Sequence, residues 1–310
     1  MERLKDRFTH EPLKGENDAP VAPRITQNVL DIFSLLAYDI HYLSPTDAAT
    51  YFDRDYSTMS DTLRKLRRNG KYLRHAPEQE NNPEKYWGGL LFYANAGAAL
   101  DALSDEDYPT PPKRHSPVNL THQVMIDQVT LDLLKGEKER AVRIIKWRDI
   151  LQSPKMPEPT RKSQSPVIKL SSDEQGNKRF LCADGEPFVV ESNGTQMFFL
   201  GKEADTGSER GEKIPEKLLN YIEVIRDNLV REKFGADSLN VLFAIRNHRR
   251  KENIMAKWAT LTERFPACRK HLLFTVHPLY TKFKTAPLMG SIVHRELERV
   301  GYPPIVLSKI

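Results

Sequence analysis

The chain has 310 residues, enough for two domains with separate cores. Its 47 lysines and arginines against 42 aspartates and glutamates leave a net charge of +5, so a nucleic-acid contact must be read from where the cations cluster. Two cysteines, Cys182 and Cys268, argue against a disulfide framework or a cysteine-based zinc site, no apolar run approaches the roughly 20 residues that span a bilayer, and the charged opening Met1 to Asp6 is unlike a signal peptide, so a soluble cytoplasmic protein is expected.

Residues 1–24 are charged, carry Pro12, Pro20 and Pro23, and show no sustained period, which predicts a flexible arm. From residue 25 the pattern changes. Val29, Leu30, Phe33, Leu36, Ala37 and Ile40 recur at helical spacing behind a Thr26 cap. Ser44-Pro45-Thr46-Asp47 opens a second helix with a serine cap and proline in the first turn. A third is predicted from about Ser57 to Asn69, with Met59, Leu63 and Leu66 inward and Asn69-Gly70 as its stop. Two strand-like runs, Lys71 to Arg74 and Tyr86 to Tyr93, then bracket a polar stretch and read as a β-hairpin wing.

Three short helices and a wing predict a winged helix-turn-helix over residues 25–103. Its third helix carries Arg64, Lys65, Arg67 and Arg68 on the outer face, suited to phosphates, and Ser57, Thr58 and Ser60 near its start, suited to phosphates or base edges. Double-stranded DNA is the partner this implies. A solvated basic helix on a protein-interaction domain gives the same pattern.

Residues 104–118 hold four prolines around Lys113-Arg114-His115 and predict a linker. The second domain, 119–310, opens with a helix ending at Gly136 and a strand from Ala141 to Trp147. His122 reads as a helix-start residue and Trp147 as core. Ser153 to Ser165 reads as a loop and Val167 to Leu170 as a short edge strand.

The densest chemistry follows. Ser192-Asn193-Gly194 predicts a tight hairpin turn between Phe188-Val189-Val190 and Met197-Phe198-Phe199-Leu200. With Asn193 and Gly194 as the turn, Phe188 faces Phe199 and Asp184 comes opposite Glu203, with Asp205 two residues further on the same face. Asp184, Glu203 and Asp205 together suit one or two hard cations such as Mg²⁺, with Mn²⁺ as a substitute. A surface hairpin with an acidic end gives the same residues.

Pro215 then begins a long helix predicted to run to Phe234-Gly235. Leu239 to Ile245 reads as a buried strand ending in Arg246-Asn247-His248-Arg249-Arg250-Lys251. Arg246, Arg249 and Arg250 in this cluster are candidate phosphate contacts. A helix from about Glu252 and a strand over His271 to Val276 follow, and the proline-bearing last segment is expected to cross the sheet or meet a partner. The chain lacks a glycine-rich phosphate loop, a Gly-x-Ser-x-Gly elbow and His-Glu-x-x-His.

Ala183-Asp184-Gly185 with Phe199-Leu200-Gly201-Lys202-Glu203-Ala204-Asp205-Thr206-Gly207-Ser208-Glu209 resembles the signature of the replication-relaxation proteins of plasmids and phages, as Leu91 to Leu100 resembles the exit of their winged helix. The resemblance implies an α/β fold, α+β overall, in which an N-terminal winged helix precedes a restriction-endonuclease-like α/β domain related to the C-type mobilisation relaxases. It matches Asp184 and Glu203 to the two acids of the nuclease pattern and Lys217 and Tyr221 to a Lys-x-x-x-Tyr pattern. Asp205 stands where that pattern has lysine, and Lys213 or Lys217 would supply the missing charge.

Three functions follow as expectations. The first is a DNA-binding protein of a mobile element, acting in replication, relaxation or mobilisation, with a homo-oligomer or relaxosome and replication proteins as partners. The second is a Mg²⁺-dependent nickase in which Asp184, Glu203, Asp205 and Lys217 are catalytic. The third is a non-catalytic assembly protein.

Overall fold

The computed structural model describes residues 24–68, 72–76, 79, 91–94, 98–105, 120–173, 175–207, 213–277 and 291–310. The chain divides into two compact units, residues 1–127 with 280–287, and 128–279 with 288–310. Helices and strands are mixed, as expected of an α/β chain.

In the first unit, helix α1 (Gln27–Ser34) begins after Thr26, whose side chain makes no capping bond, and passes into a π-helical stretch, Leu35–Asp39. Helix α2 (Pro45–Phe52) has the predicted start. The Ser44 hydroxyl accepts from the Asp47 N–H at 3.0 Å, and Asp47 reaches back to the Ser44 N–H. Helix α3 (Tyr56–Arg68) begins behind Asp55, which accepts from the Thr58 N–H at 2.8 Å. Strands β1 (Leu73–His75) and β2 (Phe92–Ala94) pair antiparallel, Leu73 opposite Ala94, and Leu43 bridges to Phe92. Phe33, Leu43, Leu63, Leu66 and Phe92 form the interior. Helix α4 (Ala98–Ser104) follows. The predicted Asn69-Gly70 stop, the hairpin residues Tyr86 to Leu90 and most of the linker lie outside the described residues.

The division between units falls inside helix α5 (Leu120–Lys138). Gly136 does not end this helix. A Cβ there would meet Val293 Cγ2 at 2.4 Å, so close packing explains the glycine. After strand β3 (Arg143–Lys146) comes helix α6 (Trp147–Leu151), where Trp147 is buried and its indole donates to the Gln164 carbonyl. The predicted loop contains helix α7 (Glu158–Ser163), and strands β4 (Ile168–Lys169) and β5 (Phe180–Leu181) form a small separate hairpin.

Strands β6 (Phe188–Ser192) and β7 (Thr195–Asp205) have the predicted register, with Ser192 opposite Thr195 and Phe188 opposite Phe199. The turn forms as the sequence requires: Asn193 and Gly194 have φ of 49° and 79°. Helix α8 (Lys213–Arg226) is shorter than predicted. Asn228 at φ 51° breaks the run before helix α9 (Leu229–Phe234). Strand β8 (Asn240–Ile245), helix α10 (His248–Leu261) and strand β9 (Leu272–Val276) follow, and strands β10 (Leu297–Arg299) and β11 (Tyr302–Ile305) extend the sheet edge.

The seven strands lie in the order β11-β10-β9-β8-β7-β6-β3, with β7, β8 and β9 mutually parallel and the other neighbours antiparallel. One face buries Phe198, Leu200, Phe243 and Phe274 against Leu218, Tyr221 and Trp258 of the helices. The β7–β8 register shifts between Phe199 and Gly201. Before the bulge, even-numbered residues of β7 face the helices; after it, odd-numbered ones do. Glu203 and Asp205 therefore turn toward the helices, while Lys202 stands over Phe188 on the opposite face, 5.3 Å from the ring centre.

Two glycines let the segment before β6 lie against β7. A Cβ on Gly201 would meet the Gly185 carbonyl oxygen at 2.3 Å and the Ala183 Cβ at 2.5 Å, and one on Gly185 would meet Lys202 Cε at 2.5 Å. Gly201→Ala should therefore lower stability by about 2–3 kcal/mol, since backbone must move. Gly194→Ala meets open space and should cost only about 1 kcal/mol through its positive φ. Urea unfolding of the two variants checks the difference.

Candidate functional site

The segment Cys182 to Gly185 runs beside β7, tied by the Gly185 N–H donating to the Lys202 carbonyl at 3.0 Å. Asp184 Oδ2 accepts from the Ala204 N–H at 3.0 Å, which brings its carboxyl to Glu203 as the hairpin register predicts. Helix α8 contributes the other half. Lys217 Nζ lies 2.7 Å from Glu203 Oε2 and 3.7 Å from Asp184 Oδ1, and one turn later the Tyr221 hydroxyl donates to Glu203 Oε1. The exposed Lys213 at the start of the helix is not the lysine that reaches the acids.

These groups sit in graded exposure: the side chains of Lys217 and Asp184 are 22% and 17% exposed, that of Glu203 only 2%, and Tyr221 is wholly buried. Burial pushes Glu203 well above the usual carboxylate range, with the Asp184 charge adding to the rise and Lys217 opposing it. Burial and then the Glu203 charge push the Tyr221 phenol up as well. Cys182 at the edge of the cluster is raised first by burial and then by Glu203 and Asp184. Two carboxyls and an ammonium so placed can hold a proton between them or stabilise charge on an oxyanion.

Asp205 lies apart from this group. Its Oδ2 accepts from Arg250 Nε at 2.6 Å and its Oδ1 from the Gly207 N–H at 2.8 Å, so both oxygens are engaged. Among the described residues no three Asp, Glu, His or Cys side chains converge as a metal-holding group. The expected three-carboxylate cluster is therefore corrected to the pair Asp184 and Glu203 with Lys217.

The basic run after β8 also differs from expectation. Helix α10 begins at His248 rather than near Glu252, because the Asn247 side chain accepts from the Arg250 N–H at 3.0 Å and caps it there. The cations thus occupy a first turn that has no acidic residue. Arg250 is paired with Asp205 and the buried Lys251 with Glu298, which leaves Arg246 and Arg249 as the exposed cations of the cluster. The Arg250 reading is corrected accordingly: it anchors Asp205.

On helix α3, Lys65 is exposed and Arg64, Arg67 and Arg68 are half-buried. Arg64 lies 3.7 Å from Asp61, a surface pair of little energy. Ser57 and Thr58 are exposed, and their hydroxyls donate to Asp55, whose acidity that strengthens. Ser60 is 4% exposed beside Met59 and Leu63, on the inner side of the helix, and leaves the set of expected DNA contacts. His122 is half-buried in the first turn of α5.

No family model, curated protein or solved structure matches this chain. Among the described residues, no helix is long and apolar enough to cross a membrane.

The raised pKa of Glu203 fixes a sign. The unfolded chain gives up this proton near the ordinary value of 4.5, the folded protein holds it, and stability falls as pH rises above that value. Glu203→Gln, which keeps the shape and removes the titration, should flatten that fall as pH rises above about 4.5. Urea unfolding of both proteins across that range is the measurement.

Proposed function

We propose that the chain belongs to the class of DNA-binding proteins that join a winged helix to a restriction-endonuclease-like α/β core. More particularly, it is a double-stranded-DNA-binding protein of a plasmid or phage, acting in replication, relaxation or mobilisation. The observation that carries this reading is helix α3, where Arg64, Lys65, Arg67 and Arg68 follow the exposed Ser57 and Thr58 along one helix that stands before a two-stranded ribbon. The second unit supports it: helix α5 and the antiparallel strands β3, β6 and β7, the last carrying Glu203 and Asp205, come before α8, β8, α10 and β9, with short helices and the β4–β5 hairpin between them.

Cations on such a helix bind by releasing counterions from phosphates, so affinity should fall steeply with salt. Arg64→Ala combined with Arg67→Ala should weaken duplex binding roughly tenfold and lower the salt slope by about 1.8. Fluorescence anisotropy at several salt concentrations tests this. Unchanged affinity in the double variant would instead favour a protein-binding winged helix.

One observation favours a second reading, a Mg²⁺-dependent nickase: Lys217 stands within 3.7 Å of both Asp184 and Glu203, where the charge absent at Asp205 would be needed. Asp184 and Glu203 offer hard carboxylate oxygens that fit Mg²⁺ or Mn²⁺, whereas Asp205 is spent on Arg250. The ion, when bound, would activate water for attack on a phosphodiester. The chain's part would be to hold that pair, to keep Glu203 oriented through Tyr221, and to place the Lys217 ammonium beside charge developing on phosphate oxygens. Supercoiled plasmid should then be nicked with Mg²⁺, and Lys217→Ala and Glu203→Ala should each abolish nicking. Identical traces from wild type and both variants would leave binding as the sole activity.

A further inference from the structure

The hairpin of β4 and β5 carries a feature that neither reading uses. Phe180 is 55% exposed, more than any other large apolar side chain among the described residues. Two others, Phe265 and Tyr302, each lie against an arginine, Arg226 and Arg299. Phe180 has no ring or cation contact of this kind among the described residues. It is also firmly placed. Arg179 beside it donates to Glu223 at 3.0 Å and to Asn220, and the Ser171 N–H on the other arm of the hairpin donates to Glu223 at 2.6 Å. Asn220 and Glu223 belong to α8, the helix that carries Lys217 and Tyr221.

The hairpin is thus fastened to the helix that completes the acid-lysine cluster, and the chain leads from Phe180 to Asp184 in four residues, a span of at most about 14 Å. An aromatic held rigidly in solvent loses little entropy when something flat covers it. The surroundings say what that is. Lys169 is the cross-strand partner of Phe180 and is exposed, and Lys178 two residues before Phe180 is exposed too. Directly paired residues project from the same face. An aromatic face with cations beside it matches a nucleobase and its phosphates better than it matches an apolar protein surface.

We propose that Phe180 is a stacking platform for an unpaired base, with Lys169 and Lys178 contacting the flanking phosphates, so that the second unit holds single-stranded or distorted DNA beside Asp184, Glu203 and Lys217. This rests on the DNA-binding reading given above. It adds a preference for unpaired strand that helix α3 would not confer.

The test uses the full chain and three labelled probes: a blunt duplex, the same duplex with a central run of unpaired thymines, and an oligothymidine strand. Wild type should prefer the two probes with unpaired bases. Phe180→Ala should lose roughly 5- to 150-fold in affinity for them, the range for one stacked base, and keep its blunt-duplex affinity. Phe180→Trp should retain the preference, and its indole fluorescence should be quenched on binding. A wild type that binds duplex without preference, or a Phe180→Ala variant that weakens on all three probes alike, overturns the platform while leaving the DNA reading intact. A wild type that binds none of the probes overturns both. A Phe180→Ala variant with unchanged DNA affinity but altered mass in sedimentation marks the hairpin as a protein contact and also overturns the platform.

Discussion

A carboxyl group on a side chain only 2% exposed has lost its water and must be met by something else, and the second unit is organised around meeting that need at Glu203. Helix α8 supplies an ammonium and a phenol one turn apart, and the segment before β6 supplies a second acid from the other side. The arrangement is not a simple ion pair. Asp184 and burial favour the protonated form of Glu203, Lys217 favours the ionised form, and the first two win. An acid balanced in this way responds to whatever approaches it: a cation or an added positive charge would drive the proton off.

That balance depends on strand geometry. Without the bulge between Phe199 and Gly201, Lys202 would face the helices and Glu203 would lie over Phe188. The bulge allows Phe198 and Leu200 to pack in the core and, three and five residues after Leu200, lets the acids share their face. Gly185 and Gly201 then permit a third segment to come within bonding distance of β7, which is what places Asp184. Bulge and glycines serve the same end by different means, one turning side chains and the other admitting backbone.

The hairpin was legible in the sequence because its determinants are local. Asn193-Gly194 fixes the turn, the turn fixes the register, and the register sets Asp184 across from Glu203. The fate of Asp205 was not legible. Its partner Arg250 lies 45 residues on, and the two meet because β7 and β8 run parallel with Asp205 opposite Ile245, so that the start of α10 falls beside the end of β7. Parallel neighbours leave no turn to read. The bulge was equally hidden, and with it the placement of Lys202 on the face opposite the helices. Ser60 misled for a different reason: as a hydroxyl near the helix start it groups with Ser57 and Thr58, although it lies three residues before the inward Leu63 and so shares the buried face.

The two buried acids of β7 show how similar residues come to different roles. Asp205 has both oxygens satisfied, by a guanidinium and a backbone N–H, and that guanidinium comes from a helix whose first turn has no acidic residue, where a cation is unfavourable unless a carboxylate answers it. Each therefore needs the other, and the pair pins α10 to the strand end while Arg246 and Arg249 remain facing solvent. Glu203 has no guanidinium partner among the described residues. It is held by a single-point ammonium and a phenol, beside a second carboxyl that is partly open to water. The first arrangement stores stability and leaves nothing to exchange, whereas the second keeps a proton, an ammonium and an accessible oxygen in reach of one another, which is what chemistry or ligand binding at this strand end requires.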